Sequence, residues 1–375
     1  MVLATLGSGN VAASEWSVQP TLQWYFDHAS NRQLSPIGAE NDDAAWLTID
    51  AVFKRATETS ELDVHPELQI QRFSGDGALN SDNGSLQLAA MNNGEIYSYN
   101  AAIGYSDNST LISELPNTGI IDASTRQRAA TGSVNLMDQF SERQRVGLQA
   151  SYADVVYPGG ERVGLVGYRD PGAAVTYTFS LSEPSSLSAT AYVNEATAPD
   201  VGYESRDVGG RLTWTRVLTM TNSISASAGF SRSTVESEAT HGEVWAVRAT
   251  HNSELAQWAF SVSRDVEPSG RGLLIRRDEL DLSVVRSIAA RLDATLSVLG
   301  AHNSDLVASF TGDDRRYLTG AAGVSWHASA HWVWSFTARE SESRIPIVAP
   351  YLQRASGWQT ALTILWTPHP WSLSR

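Results

Sequence analysis

The chain contains no cysteine and a single lysine, Lys54, and nowhere approaches the roughly twenty consecutive apolar residues that a membrane-spanning helix requires. Without cysteine there are no disulfides and no thiol ligands for a metal, and the chain suits an oxidising compartment where unpaired thiols are a liability. Arginine supplies nearly all of the 27 cationic residues, a mark of genomic base composition rather than of function. The net charge of −14 excludes nucleic acid as a partner, because a phosphate backbone would meet an average surface of its own sign. If the chain enters a bilayer, it does so as strands.

What the chain has in abundance is alternation. In 16–28, Trp16, Val18, Leu22, Trp24 and Phe26 alternate with Ser17, Gln19, Thr21, Gln23 and Asp27, so one strand face suits lipid and the other water. The segment 45–57 repeats the scheme with Leu47, Ile49, Ala51 and Phe53 against Thr48, Asp50 and Lys54. In 61–73, Leu62, Val64, Leu68 and Ile70 oppose Glu61, Asp63, His65, Glu67, Gln69 and Gln71. About eighteen such segments of roughly ten residues, or sixteen if one hairpin is miscounted, predict an all-β fold: a closed antiparallel up-and-down transmembrane β-barrel.

The connections support that architecture. Tight ones at 58–60, 92–95, 138–142, 183–184, 219–221, 253–254, 288–289 and 328–329 alternate with long ones that include 29–44, 74–83, 107–125, 154–171, 303–314 and 343–356. Short periplasmic turns and longer outer loops are the habit of bacterial outer-membrane barrels, and an even strand count puts both termini on the short-turn side. Trp16, Trp326, Trp332 and Trp366 fall at the strand ends on that side, a periplasmic aromatic girdle. Pro20 and Pro66 interrupt the scheme, since neither can donate a ladder hydrogen bond.

Three regions follow. Residues 1–14 are expected to be a signal-peptide remnant or a disordered tail, with Val11-Ala12-Ala13 placed where signal peptidase cuts. The barrel occupies 15–366, and 367–375 form a C-terminal tail after Trp366. No N-terminal plug domain is expected before the first strand.

The segments Arg315-Arg316-Tyr317, Gly323-Val324-Ser325-Trp326, Trp332-Val333-Trp334-Ser335-Phe336 and Leu362-Thr363-Ile364-Leu365-Trp366 resemble outer-membrane β-barrels of the putative porin type. The barrels in question accompany exopolysaccharide biosynthesis and export in Gram-negative bacteria. The stretch 109–119 is similar to their large outer loop. The resemblance implies an integral outer-membrane location, contact with lipid and lipopolysaccharide, and polysaccharide and periplasmic export proteins as partners. It assigns no residue a role, and the oligomeric state stays open.

Function is expected on the inward face, because a barrel of this size encloses a lumen too wide for side chains to fill. Asp27, Asp50, Glu61, Asp63, Glu67, Asp265, Glu279, Asp281 and Asp293 are expected to line it. They would face Lys54, Arg143, Arg145, Arg211, Arg248, Arg277, Arg291 and Arg339 across water. The alternative is that these groups form ion-pair networks bracing the wall. His65 adds an imidazole to the acidic stripe of 61–67, and Tyr25, Tyr192 and Tyr317 on the same face suit sugar contacts. Asp76, Asp82 and Asn83 lie in a Gly/Asn/Asp-rich outer loop whose spacing fits no calcium-loop pattern.

No metal or cofactor is expected, and no Gly-x-Ser-x-Gly elbow or aligned Ser and His indicates an enzyme. The leading expectation is a conduit for exopolysaccharide, with a general diffusion porin for small solutes as the alternative. A closed barrel that docks another complex through its loops or rim is a third. The loops 107–125 and 154–171 are the best candidates to constrict the pore.

Overall fold

The computed structural model describes residues 14–35, 40–75, 77–111, 113, 125–307, 314–348 and 351–374. The expected signal remnant therefore lies outside the described residues, apart from Ser14.

The first wall of strands is β1 (Glu15–Ser30), β2 (Asn41–Ala56), β3 (Ser60–Phe73), β4 (Ser81–Asn93), β5 (Tyr97–Ser109) and β6 (Arg126–Ser141). It continues through β7 (Gln144–Val156), β8 (Tyr168–Ser182), β9 (Ser185–Ala198), β10 (Tyr203–Thr219), β11 (Asn222–Val235) and β12 (Glu238–Asn252). The last strands are β13 (Ala256–Pro268), β14 (Leu274–Ala289), β15 (Leu292–Asp305), β16 (Arg315–His327), β17 (Trp332–Val348), β18 (Tyr351–Trp366) and β19 (Trp371–Ser374). Each of β1 to β18 pairs antiparallel with its neighbour in sequence, and β18 and β19 both return to pair with β1, so the sheet closes. Closure is what lipid demands, because an open edge would leave backbone N–H and C=O groups unpaired in hydrocarbon.

The barrel has eighteen staves because β18 and β19 form a single one. Leu22 to Ala29 of β1 pair with Trp366 to Gln359, and Glu15 to Val18 pair with Ser374 to Trp371. Between the two pieces, 367–370 oppose the shorter run 19–21, a one-residue insertion of the kind that makes a bulge. Gln19 Nε2 donates to Pro368 O at 2.8 Å across the break. The segment expected as a tail after Trp366 is thus a second length of wall.

Both prolines that disturbed the sequence pattern sit at interruptions of the ladder. Pro20 lies opposite the break between β18 and β19. Pro66 leaves β2 and β3 unpaired over two positions, between Asp50–Glu67 and Phe53–Val64, and the register is the same on both sides. No residue is inserted there, so the feature is a gap rather than a bulge.

The outward face is apolar through mid-strand: Phe26, Ile49, Leu68, Ile103, Leu148, Leu212 and Leu318 are exposed, as lipid contact requires. At the short-turn end Trp24 stacks on Trp332 with centroids 6.2 Å apart, and Trp332 meets Trp366 at 6.2 Å. Trp326 stands opposite Trp334 on the neighbouring strand, and Trp16 carries the Arg55 guanidinium 5.5 Å from its ring. The protein is an integral outer-membrane barrel.

Most buried side chains, among them Leu34, Phe73, Leu79, Tyr157, Leu165, Val235 and Leu273, lie toward the long-loop end. The core of this molecule is therefore in its mouth.

A chain ending at Trp366 would expose the edge of β1 from Glu15 to Val18 and lose four ladder positions. We expect it to unfold with about 2 kcal/mol less stability, seen as a lower temperature for loss of the compact form in heat-modifiability electrophoresis. Unchanged melting would show that β19 carries no share of closure.

Candidate functional site: a mouth narrowed by two loops

The described residues of two long connections turn inward. The β5–β6 connection leaves the wall at Thr110, whose N–H donates to Thr125 O at 2.9 Å, while Thr125 N–H donates to Thr110 Oγ1 at 3.0 Å. Ser109 is fixed by Asn83 Oδ1, which accepts its N–H at 2.8 Å. Beyond this clasp Leu111 packs on two apolar clusters, Ala44–Phe73–Leu79 and Leu34–Ala355, the second also packed by Tyr317. Those residues belong to β2, β3, the β1–β2 and β3–β4 connections, β18 and β16, on both sides of the closure seam, so Leu111, at the described start of the connection, points into the lumen.

The β7–β8 connection does the same from another direction. Gly159 (φ 77°) and Gly164 (φ 73°) bracket a 3-10 turn at Gly160–Val163, and left-handed backbone of this kind favours glycine. Leu165, 2% exposed, joins Val155 and Tyr157 in a core. Val166 N–H then donates to Gly270 O at 2.8 Å, in the β13–β14 connection. Thr125 Oγ1 donates to Pro158 O at 2.8 Å and Gln127 Nε2 to Tyr157 Oη at 3.1 Å, so the bases of the two loops are tied together.

Inside the mouth is a cavity of about 110 Å³ whose lining includes Arg32, Trp46, Phe73, Leu111, Tyr317 and Arg339. Arg32 organises its rim. Its guanidinium donates to both Asp27 carboxylate oxygens at 2.7 and 2.8 Å and reaches Asp42 at 2.8 Å, and Gln359 Nε2 also donates to Asp27. Burial opposes its charge, yet these hydrogen bonds outweigh burial and raise its pKa above the ordinary arginine value. A second, wall-side cavity of about 400 Å³ is lined by residues that include Gln149, Thr176, Thr190, Tyr192, Asn194 and Arg211, mostly neutral donors and acceptors.

The strand register puts Asp27, Asp50, Lys54, Glu61, Asp63, His65 and Glu67 on the face shared with the mouth cavity. Arg145, Arg211, Arg248, Asp265, Arg277, Glu279, Asp281, Asp293 and Arg339 follow on the same face of later strands. Two expected strand residues are elsewhere: Arg143 and Arg291 occupy the β6–β7 and β14–β15 turns, because β7 and β15 begin one and two residues later than the sequence pattern indicated. Nor do an acidic and a basic wall face each other. Charges pair along the wall, Lys54 with Glu61 at 2.5 Å, Arg211 with Asp265 at 3.3 Å and Arg277 with Glu279 at 2.7 Å.

The stripe at 61–67 is likewise divided between partners, with His65 Nε2 3.6 Å from Asp50. Among the described residues no group of three or more His, Asp or Glu is placed to hold a metal ion. Asp82 and Asn83, expected in one loop, begin β4 and point to opposite faces: Asp82 pairs with Arg72 at 2.7 Å outside, while Asn83 holds Ser109 inside. Asp76 lies outside the described residues. The register places Tyr25, Tyr192 and Tyr317 on the inward face; Tyr25 stacks on Trp46 at 4.4 Å, and Arg211 lies 5.3 Å from the Tyr192 ring. Arg32, Leu111 and Leu165 carried no sequence signal, since each lies in a segment without period.

No protein-family model matches the chain, and no curated protein sequence matches it. Solved structures do. OpdQ of Pseudomonas aeruginosa is 10% identical with a TM-score of 0.50, the match covering 95% of this chain and 99% of that one. OccAB3 of Acinetobacter baumannii is 13% identical over 95% and 99% of the two chains, with a TM-score of 0.47. OpdK of P. aeruginosa, solved with vanillate, is 9% identical over 96% and 99%, with a TM-score of 0.49. Nothing among these likenesses ties the chain to exopolysaccharide. What it shares with OpdQ is the fold, that of a closed eighteen-stranded outer-membrane porin.

Proposed function

We propose that the protein is a porin for small polar solutes, open without a partner and limited in size by its external mouth. The observation that carries this reading is the inward turn of the described start of the β5–β6 connection, where Leu111 packs on one wall, and of the β7–β8 connection, which Val166–Gly270 ties to another. An eighteen-stranded barrel alone encloses an aqueous channel, and loops pinned across its mouth restrict that channel to small molecules. Below them the inward face of β4 to β9 is largely amide and hydroxyl, including Gln87, Asn100, Asn135, Gln149, Thr176 and Asn194. Such a wall replaces the hydration of a polar solute without binding it tightly. The export of a polymer chain, the leading expectation from sequence, is poorly served by a mouth built this way.

In planar bilayers the purified protein is expected to give steady open channels by itself, and proteoliposomes should admit monosaccharides and small organic ions but exclude long oligosaccharides. Closed channels, or free passage of oligosaccharides, would refute the proposal.

Leu111→Asp sets a charge among Leu34, Phe73 and Leu79 and removes roughly 3 kcal/mol or more of docking energy from the loop. Its single-channel conductance should rise above that of the wild type, with a larger cut-off in liposome swelling. Equal conductance would mean that the loop does not set the narrowest point.

A further inference from the structure

The outward face holds a feature that solute passage does not use. Arg316 of β16 stands directly opposite Arg344 of β17, and Arg344 directly opposite Arg354 of β18. His302 of β15, the other neighbour of Arg316, is already served by Asp314 at 3.1 Å and Asp278 at 3.9 Å and adds nothing to the row. The three arginines are exposed, share the lipid-facing parity of Leu318, Phe336 and Leu362, and lie at the long-loop ends of their strands.

Like charges directly opposite on neighbouring strands repel, and this row is undercompensated. Glu342 alone serves two of them, accepting from Arg344 Nε at 2.5 Å and from Arg354 Nη2 at 2.9 Å. Among the described residues Arg316 has no ion-pair partner.

The level of the row is fixed by the strands beneath it. From Trp326 in the periplasmic girdle to Arg316, a run of about ten residues at 3.4 Å each, tilted near 40°, rises roughly 25 Å, the height of the apolar band of an outer-membrane barrel. The guanidinium groups therefore stand at the outer headgroup level, repeating at about the 4.8 Å strand spacing. Guanidinium forks bind phosphate oxygens in bidentate fashion, and basic clusters at this depth recognise anionic headgroups.

We infer that Arg316, Arg344 and Arg354 form a binding site for the phosphate groups of a phosphorylated glycolipid of the outer leaflet. The ligand supplies the negative charge that the row lacks and fastens β16 to β18 from the lipid side.

The test uses the full chain in neutral detergent with a bisphosphorylated diglucosamine lipid, read by native mass spectrometry and by thermal unfolding. The wild type should retain the lipid and melt several degrees higher with it, while phosphatidylethanolamine and inorganic phosphate leave the melting unchanged. The Arg316→Gln/Arg344→Gln/Arg354→Gln variant should bind at least tenfold more weakly with unaltered single-channel conductance. Arg316→Gln alone, at an exposed and unpartnered position, keeps the test available if the triple variant does not fold, and it should weaken binding severalfold. Equal retention by variant and wild type would overturn the site. An equal response to phosphatidylethanolamine or to inorganic phosphate would overturn the assignment to a phosphorylated lipid.

Discussion

Every part of this molecule follows from one constraint: in hydrocarbon no backbone N–H or C=O group can be left to water, so the sheet must close on itself. The seam is where that requirement is hardest to meet, because the last strand must match the first over its whole length. Here the last stave is made in two pieces, and the interruption at 367–370 falls opposite Pro20, a residue that cannot donate a ladder hydrogen bond. The unpaired step between β2 and β3 at Pro66 lies at the same level of the wall as Pro20, since Ala51 pairs with Pro20 on one side and belongs to the unpaired step on the other. The defects are gathered into one short belt rather than scattered.

Closure at eighteen staves creates the second problem, a lumen too wide to be selective. The protein meets it by placing the substantial cores among its described residues at the external end, where loop residues supply the apolar surface that the wall lacks. The clusters around Leu111 and Leu165 are small, but each is anchored by backbone hydrogen bonds at 2.8 to 3.0 Å, through Thr110–Thr125 on one loop and Val166–Gly270 on the other. The ion pairs of Arg32 with Asp27 and Asp42 brace the same rim. Below it, charges pair along the wall rather than across the lumen.

Strand period was legible in the sequence wherever one face met lipid and the other water, which is why the two faces of β1 to β3 were assigned as they are found. Strand length was not. The region 343–356 has a loop's composition because Arg344 and Arg354 lie above the apolar band, where alternation loses its contrast; the ladder nevertheless continues to Val348 and resumes at Tyr351. The segment after Trp366 was hidden by Pro368 and Pro370, which end a sequence pattern without ending the wall. The mouth was least legible of all: contact between Leu111 and a cluster containing Ala355 joins residues far apart in sequence, and no local period encodes it. Of the two loops expected to constrict the pore, 154–171 turns inward, as does the described start of 107–125, yet length alone pointed to them, and neither Leu111 nor Arg32 was distinguishable beforehand.

The central claim is that the narrowest part of the lumen lies in the external half while the periplasmic half is wide. Polymer exclusion in single-channel recordings tests it most directly, with polyethylene glycols of graded mass added to one side at a time. Polymers added from the periplasmic side should lower the conductance up to a distinctly larger mass than those added from the external side. Equal cut-offs from both sides, or a larger one from the external side, would contradict the account.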